Sequence, residues 1–243
     1  MGTSRPGKVP MTWHTRPMAA FDTESTGLDL ANDRIVTAAL WRIDPAARTK
    51  EVTTWLIDPG IEIPREATDI HHITTEHARE HGRPAAEAVP EIGAALEKAA
   101  ADGVPVVVYN APYDLGLLSA ELRRHDAGAR FDGTLRVLDP LVIDKRFDTF
   151  RRGSRKLVDV CAHHGVRLDA EQAHGAAADA LAAARLAWKL AAAHPELAAM
   201  DIDDLHAAQA VWKAEQAASF QDYLRRRDPE AVVDGSWPLP GPA

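Results

Sequence analysis

The chain has 243 residues, with 28 Lys and Arg against 36 Asp and Glu and a formal charge of −8 at pH 7. That length fits one domain of ordinary size, and the acidic balance argues against a protein that coats nucleic acid non-specifically. The single cysteine, Cys161, excludes an intramolecular disulfide and a Cys-rich zinc site, and no apolar run is long enough to span a bilayer or serve as a secretory signal, so a cytoplasmic protein without a membrane role is expected.

Residues 1–17 are polar, contain proline and lack periodicity, so they are read as a flexible N-terminal arm. Structure is expected from Met18, where the run to Glu24 reads as a strand entering a Ser25-Thr26-Gly27 turn. Ile35 to Ile43 and Val52 to Ile57 are two further β-rich runs, and their short connections predict adjacent antiparallel strands. From about Pro64 the pattern becomes helical, most clearly over Pro84 to Ala101, with Asp102-Gly103 as a stop. Val104 to Tyr109 reads as a buried strand, Pro112 to His125 as a helix with Leu115, Leu118 and Leu122 at helical spacing, and Leu135 to Leu138 as a short strand.

Lys156 to His164 and Gly175 to His194 are the next predicted helices, the second drawn largely from the 45 alanines of the chain. Asp201 to Arg227 reads as a long helix with acidic residues at its start and Arg225, Arg226 and Arg227 at its end, the polarity that the helix dipole favours. Its apolar stripe, Leu205, Ala208 and Trp212, then Phe220, Tyr223 and Leu224, must dock on something, either the core of its own domain or a helix of a second copy or partner. The terminal SWPLPGPA cannot continue a helix. Strands followed by alternating helices and strands predict a mixed α/β sheet covered by helices.

Charge is unevenly distributed. Residues 123–156 hold ten basic and five acidic side chains, while the remainder is strongly acidic. Such a segment can track a phosphate backbone, although a solvated basic face has the same composition.

Three short segments carry candidate chemistry. Asp22 and Glu24 lie two apart at the end of a predicted strand, so both carboxylates point to one face, where their repulsion calls for a cation; hard oxygen ligands suit Mg²⁺ or Mn²⁺. Asp114, in NAPYDLGLL, opens a helix just after a buried strand, a position where α/β folds build sites and where the helix dipole alone also favours an acid. In HGAAAD, Gly175 separates His174 from the helix bearing Asp179. The two residues are five apart and do not share a helical face, so His174 is placed on the preceding loop. The His71-His72 and His163-His164 pairs have no such context and are read as surface or helix-end residues.

FDTESTG at 21–27, NAPYDLGLL at 110–118 and HGAAADA at 174–180, in this order and at these separations, resemble the three motifs of the DEDDh family of 3′→5′ exonucleases. That family includes the proofreading epsilon subunit of bacterial DNA polymerase III, RNase T and oligoribonuclease. The resemblance covers about residues 18–195, and PGIEIPREATDIHHITTEHA at 59–78 is similar to a connecting segment of epsilon-like members. It implies an RNase H-like exonuclease domain over 18–195, a five-stranded mixed sheet flanked by helices, with residues 196–243 as a C-terminal helix and extended tail.

The resemblance also implies two divalent cations, Mg²⁺ or Mn²⁺, held by Asp22, Glu24, Asp114 and Asp179, with His174 as general base. Tyr109 stands where many members have His, Tyr113 where Phe is common and Ser25 where Thr is frequent; none of these removes a ligand. Thr26, Gly27 and Leu28 correspond to the turn that holds the terminal nucleotide in relatives, and Asn110 and Tyr113 border it; an apolar Leu28 with a stacking Tyr113 favours an unpaired 3′ end.

Arg151, Arg152 and Arg155 lie between the second and third motifs and are expected to line the path of the strand. The expected activity is removal of 5′-mononucleotides from the 3′ ends of single-stranded or frayed DNA. DNA is favoured over RNA by the epsilon-like segment. An exoribonuclease of the oligoribonuclease or RNase T kind is the alternative within the enzyme class, because discrimination rests on 2′-hydroxyl contacts that a sequence does not display. An accessory DNA polymerase subunit is the alternative from another class, with residues 201–227 as the surface for a polymerase or a homodimer.

Overall fold

The computed structural model describes residues 12–128, 133–168 and 175–241. Strands β1 (Met18–Ser25), β2 (Ile35–Asp44) and β3 (Thr49–Asp58) form an antiparallel meander, as their short connections require. Helices α1 (Arg65–His71), α2 (Thr75–His81) and α3 (Ala85–Ala101) follow, with β4 (Arg83–Pro84) between the last two. Then come β5 (Val106–Val107), α4 (Ala111–Arg124), β6 (Val137–Leu138), α5 (Pro140–Phe147), α6 (Leu157–His163), α7 (Ala176–Ala193), α8 (Pro195–Ala198) and α9 (Ile202–Leu224).

The sheet order is β4-β3-β2-β1-β5-β6, with β5 parallel to β1 and β6 parallel to β5. The expected mixed sheet is present with six strands rather than five. The sixth is β4, two residues whose pairing with Ile57 and Asp58 has no periodicity to be read, and whose Pro84 also precedes a helix. Helix α5 was not anticipated, because its apolar residues continue directly from β6 without a break other than Asp139-Pro140.

The period of two along β1 divides two cores. Ala19 and Phe21 face a layer built from α3 and α4, whereas Met18 and Ala20 face α5 to α8. On that second side α7 buries Ala180, Ala183, Ala184, Ala187 and Ala191, together with Leu186 and Leu190. Small side chains let this helix lie close to β1 and β2, and the Trp41 indole N–H fastens its first turn by donating to the Ala177 carbonyl at 2.7 Å. Cys161 is buried in the same core, and burial pushes its thiol pKa up to about 12.

Residues expected to form a loose arm are docked at their end. Trp13 lies in a short 3-10 turn, Trp13–Thr15, is 4% exposed and donates its indole N–H to the Leu197 carbonyl at 2.9 Å. A large apolar ring with one donor gains more from this burial than the arm loses in freedom.

Helix α9 covers the free edge of β6 with side chains that imitate a strand. Fully buried Gln209 accepts from the Asp139 N–H at 2.7 Å and donates to the Val137 carbonyl at 3.0 Å, while His206 Nδ1 accepts from the Val137 N–H at 3.0 Å. The edge is thereby closed to pairing with another chain. Its C-terminal half departs from the expected continuous stripe, since Leu205, Gln209 and Ala217 are buried but Phe220 and Tyr223 are 53% and 54% exposed. Two histidines are also more engaged than their positions implied. His71 is buried at the end of α1, with Nδ1 accepting from the Ile73 N–H, and His164 Nε2 lies 2.8 Å from Asp144 Oδ1.

Asp144 is a fully buried acid between α5 and α6, paired with Arg151 at 2.8 Å, with Arg155 and with His164. Burial opposes its ionisation, but hydrogen bonds from His164, Arg155 and Arg151 prevail and hold its pKa below the usual carboxylate value.

Two outcomes follow from these contacts. Replacing Gln209 with Leu leaves two backbone groups of β6 unpaired and lowers unfolding stability by about 1–3 kcal/mol for each, as read by urea titration. Asp144→Asn loses the charge pairing. Because the folded pKa is depressed, the stability gap between wild type and variant stays constant above about pH 4 and narrows as the pH falls below it. A gap that grows on acidification would contradict that assignment.

Candidate active site

Asp22 and Glu24 continue the even-numbered side of β1, the side that faces α7. Asp179 stands on the first turn of α7, with its N–H bonded to the Gly175 carbonyl at 3.1 Å. One carboxylate oxygen from each of Asp22, Glu24 and Asp179 lies within 4.8 Å of the other two. The register that pairs Asp22 with Ala39 and Glu24 with Thr37 shifts between Glu24 and Ser25, so the strand is broken immediately beyond the carboxylates.

The fourth acid arrives from the other layer. β5 pairs with β1 only at Ala19 and Ala20, and beyond its end Asp114 of α4 takes over. Its Oδ1 accepts from the Thr23 N–H at 2.9 Å and from the Thr23 hydroxyl at 2.6 Å. Asp114 is thus fixed as an extension of the sheet ladder, 4% exposed, and borders the same cleft as the other three. It is not within the tight group of three oxygens. The loop leading to it is bent by Asn110, which has a left-handed backbone with φ 61°.

Burial and crowding raise the pKa values of Asp22, Glu24 and Asp114. The Asp22 pKa is pushed well above the usual carboxylate range by desolvation, then by the charges of Asp114, Glu24 and Asp179. Glu24 rises to about 8 through desolvation and the Asp179 and Asp114 charges. Asp114 rises to about 7 through desolvation, against which the Thr23 hydrogen bonds act. Among the described residues no Lys or Arg forms an ion pair with Asp22 or Glu24. Buried like charges of this kind fit divalent cations with hard oxygen ligands, so the donor set suits Mg²⁺ or Mn²⁺.

The carboxylates line a cleft of about 690 Å³ whose far wall is Ser154 to Val158, together with Leu168. Asn110, Tyr113 and Arg155 border it. Tyr113 donates its hydroxyl to the Gly27 carbonyl at 2.6 Å and contacts the Ser25 hydroxyl, tying the 25–27 turn to α4. Burial pushes the Tyr113 phenol up to about 12.

In the turn itself, the Thr26 hydroxyl donates to Asp33 at 2.7 Å and accepts from the Arg34 N–H at 3.0 Å, while a Cβ on Gly27 would lie 2.5 Å from an Asp33 oxygen. These two residues therefore shape the turn. Leu28 projects from it, 85% exposed. Arg152 is exposed, whereas Arg151 and Arg155 spend guanidinium donors on Asp144. His174 lies outside the described residues. The wall residues Leu157 and Val158 carried no sequence signal, because they look like the apolar face of any helix start.

The mixed sheet, with carboxylates at the end of its central strand and on two flanking helices, is an RNase H-like fold with the constellation of a nuclease. Residues 19–187 match the family described as Exonuclease (RNase_T), and the chain belongs to this family of DEDD-type 3′→5′ exonucleases. It is 34% identical over 175 residues to a DNA polymerase III subunit epsilon-like protein of Rhodobacter capsulatus, a match covering 70% of this chain and 23% of that protein. It is 26% identical over 119 residues to the PolC-type DNA polymerase III of Streptococcus mutans, covering 49% of this chain and 8% of that one.

Among solved structures, E. coli exonuclease I in complex with a dT13 oligonucleotide superimposes with a TM-score of 0.63 at 20% identity, over 75% of this chain and 42% of that chain. The exonuclease I of Methylocaldum szegediense does so with a TM-score of 0.62 at 21% identity, over 84% and 46%. The chain therefore spans less than a quarter of the length of these curated relatives, and the structural likeness is one of fold.

If the carboxylates form a cation site, then at about pH 9, above the Glu24 pKa of about 8, Glu24→Gln removes one of the repelling charges. In chelator the variant then melts about 2–4 °C above wild type, equivalent to about 1 kcal/mol at this size. Millimolar Mn²⁺ raises the melting temperature of wild type more than that of the variant. Equal shifts on adding Mn²⁺ would show that the ion binds elsewhere.

Proposed function

We propose that the chain is a metal-dependent 3′→5′ exonuclease that hydrolyses the terminal phosphodiester bond of single-stranded or frayed DNA and releases 5′-mononucleotides. The observation that carries this reading is the convergence of Asp22, Glu24 and Asp179 oxygens within 4.8 Å, with Asp114 on the same cleft. Bound divalent cations would supply Lewis-acid stabilisation of the phosphoryl group and lower the pKa of the attacking water. Asp22, Glu24 and Asp179 would hold them, and Asp114, locked by Thr23, would complete the set.

In the proposed reaction water adds to phosphorus and the bond to the 3′ oxygen of the preceding nucleotide breaks. His174 accepts the proton that the attacking water gives up, and the leaving 3′ oxygen takes a proton from a solvent water. Exposed Leu28, on a turn braced by Tyr113, is suited to pack on the last base, and the Tyr113 ring borders the cleft where that nucleotide would lie. No helix among the described residues is long and apolar enough to cross a membrane. The E. coli exonuclease I complex contains a DNA oligonucleotide on the same fold, and the relative from R. capsulatus is named as epsilon-like, which together favour DNA.

The deciding experiment incubates the protein with 5′-labelled single-stranded DNA and its RNA counterpart in Mg²⁺, Mn²⁺ or chelator. A ladder shortening from the 3′ end in either metal and absent in chelator is expected, with DNA the faster substrate. Asp22→Asn removes the activity, and His174→Ala lowers kcat by roughly 10²–10⁴-fold, the usual contribution of a general base. Undiminished cleavage by Asp22→Asn would overturn the proposal, and faster cleavage of RNA would reassign the substrate.

A further inference from the structure

A second cleft of about 490 Å³ adjoins the catalytic one, between the 145–155 segment and the C-terminal half of α9. Arg155, in the loop that precedes α6, lines both. One wall carries Lys145, Arg146 and Arg151, and the other is formed by α9 residues 212, 215, 216, 219, 220 and 223, whose spacing places them on one helical face. Four cations line this cleft against the single carboxylate of Glu215, which pairs with Arg146 at 3.5 Å. Asp144 and Asp148, on the 145–155 side, take up part of the charge of Arg151 and Arg155. Burial and the nearby Lys213 ammonium push the Lys145 pKa down, as expected where cations crowd together.

The aromatic side chains are arranged for stacking. Phe220 and Tyr223 are more than half exposed, with ring planes 13° apart and centroids 6.4 Å apart. The Arg146 guanidinium lies 5.7 Å from the centre of the Trp212 ring, and Arg226 lies 6.0 Å from that of Tyr223. Flat faces beside cations match alternating bases and phosphates, and a single strand presents both at once. An apolar protein partner would gain from the rings but would cover Lys145, which has no ion pair among the described residues, and the half-exposed Arg146–Glu215 pair.

We propose that this cleft is a second binding site for the substrate strand, in which bases upstream of the 3′ end stack on Phe220, Tyr223 and Trp212 while phosphates meet Lys145, Arg146 and Arg155. The inference rests on the exonuclease reading and adds the direction of the strand, from the carboxylates over Arg155 and onto α9. It assigns the exposed half of α9 to nucleic acid rather than to a polymerase or a second copy of the chain.

The test is fluorescence anisotropy on the whole chain in chelator, using 5′-fluorescein oligothymidylates with a phosphorothioate at the 3′ linkage, from a dinucleotide to strands long enough to reach α9. Affinity of the unaltered protein rises with length. The Phe220→Ala/Tyr223→Ala variant loses most of that gain, roughly tenfold or more on long strands. Lys145→Gln and Arg146→Gln each flatten the dependence of log affinity on log salt by about 0.7. Val211→Ala, exposed on α9 outside the cleft, provides the comparison for the helix itself.

Equal affinity of the aromatic variant for long strands, or an equal loss in Val211→Ala, would overturn the proposal. So would sedimentation of the unaltered protein as a dimer that Phe220→Ala/Tyr223→Ala converts to monomer, because a second copy would then occupy the face. Binding and cleavage without any dependence on length would remove this inference alone. Absence of binding at every length together with absence of cleavage would remove the exonuclease reading with it.

Discussion

The carboxylate of Asp139 is the contact on which most of the architecture converges. It is 1% exposed, and its oxygens accept from the N–H groups of Asn110, Ala111 and Leu141, each at 3.0 Å, and from the Trp237 indole at 3.3 Å. Burial pushes its pKa up, while these donors act in the opposite direction. Its own N–H goes to Gln209. One side chain thus ends β5, opens α4, caps α5 and holds the C-terminal tail, and its backbone receives α9. Asp114 reaches Thr23 from a helix whose start Asp139 holds, so the geometry of the carboxylate group depends on an acid outside the residues that line the cleft.

Two groups of buried acids illustrate opposite solutions to one electrostatic problem. Asp144 is surrounded by Arg151, Arg155 and His164, and its charge is matched within the protein. Asp22 and Glu24 are surrounded by other acids, and their pKa values rise through desolvation and then through those neighbouring charges. Acids left in mutual repulsion rather than matched by lysines and arginines form a group whose chemistry suits a cation. The arginines of the basic segment divide between these tasks. Arg155 is anchored on Asp144 and so held rigidly at the edge of the cleft, where a free side chain would have to be ordered by the substrate.

Much of the molecule could be read from local pattern. The alternation of β1, the helical spacing of α3, α4, α7 and α9 and the three acidic motifs placed Asp22, Glu24, Asp114 and Asp179 correctly on strand ends and helix starts. The reading of Arg151 and Arg155 as strand-facing cations had no access to Asp144, because Asp144 lay in a segment whose helix, α5, was hidden in continuous apolar sequence after Asp139-Pro140. The contacts within the 25–27 turn have no such pattern: the Thr26 hydroxyl bonds to Asp33 and to the Arg34 N–H, and the Gly27 carbonyl accepts from the Ser25 and Tyr113 hydroxyls. Trp13 was read as part of an arm because a single aromatic residue in a polar stretch gives no pattern to follow.

The sequence by itself determined which side chains are acidic at positions of defined phase, since strand and helix periods of two and 3.6 are properties of the backbone and need no distant partner. That was enough for a mixed α/β sheet covered by helices, the antiparallel adjacency of its first three strands and the shared face of Asp22 and Glu24. Tertiary structure alone decided which charges are compensated, that the β6 edge is closed by Gln209 and His206, and that half of α9 docks while Phe220 and Tyr223 stay open beside the catalytic cleft. Each of these joins residues many positions apart, and pairing across such separations depends on how whole elements pack, which no local period encodes.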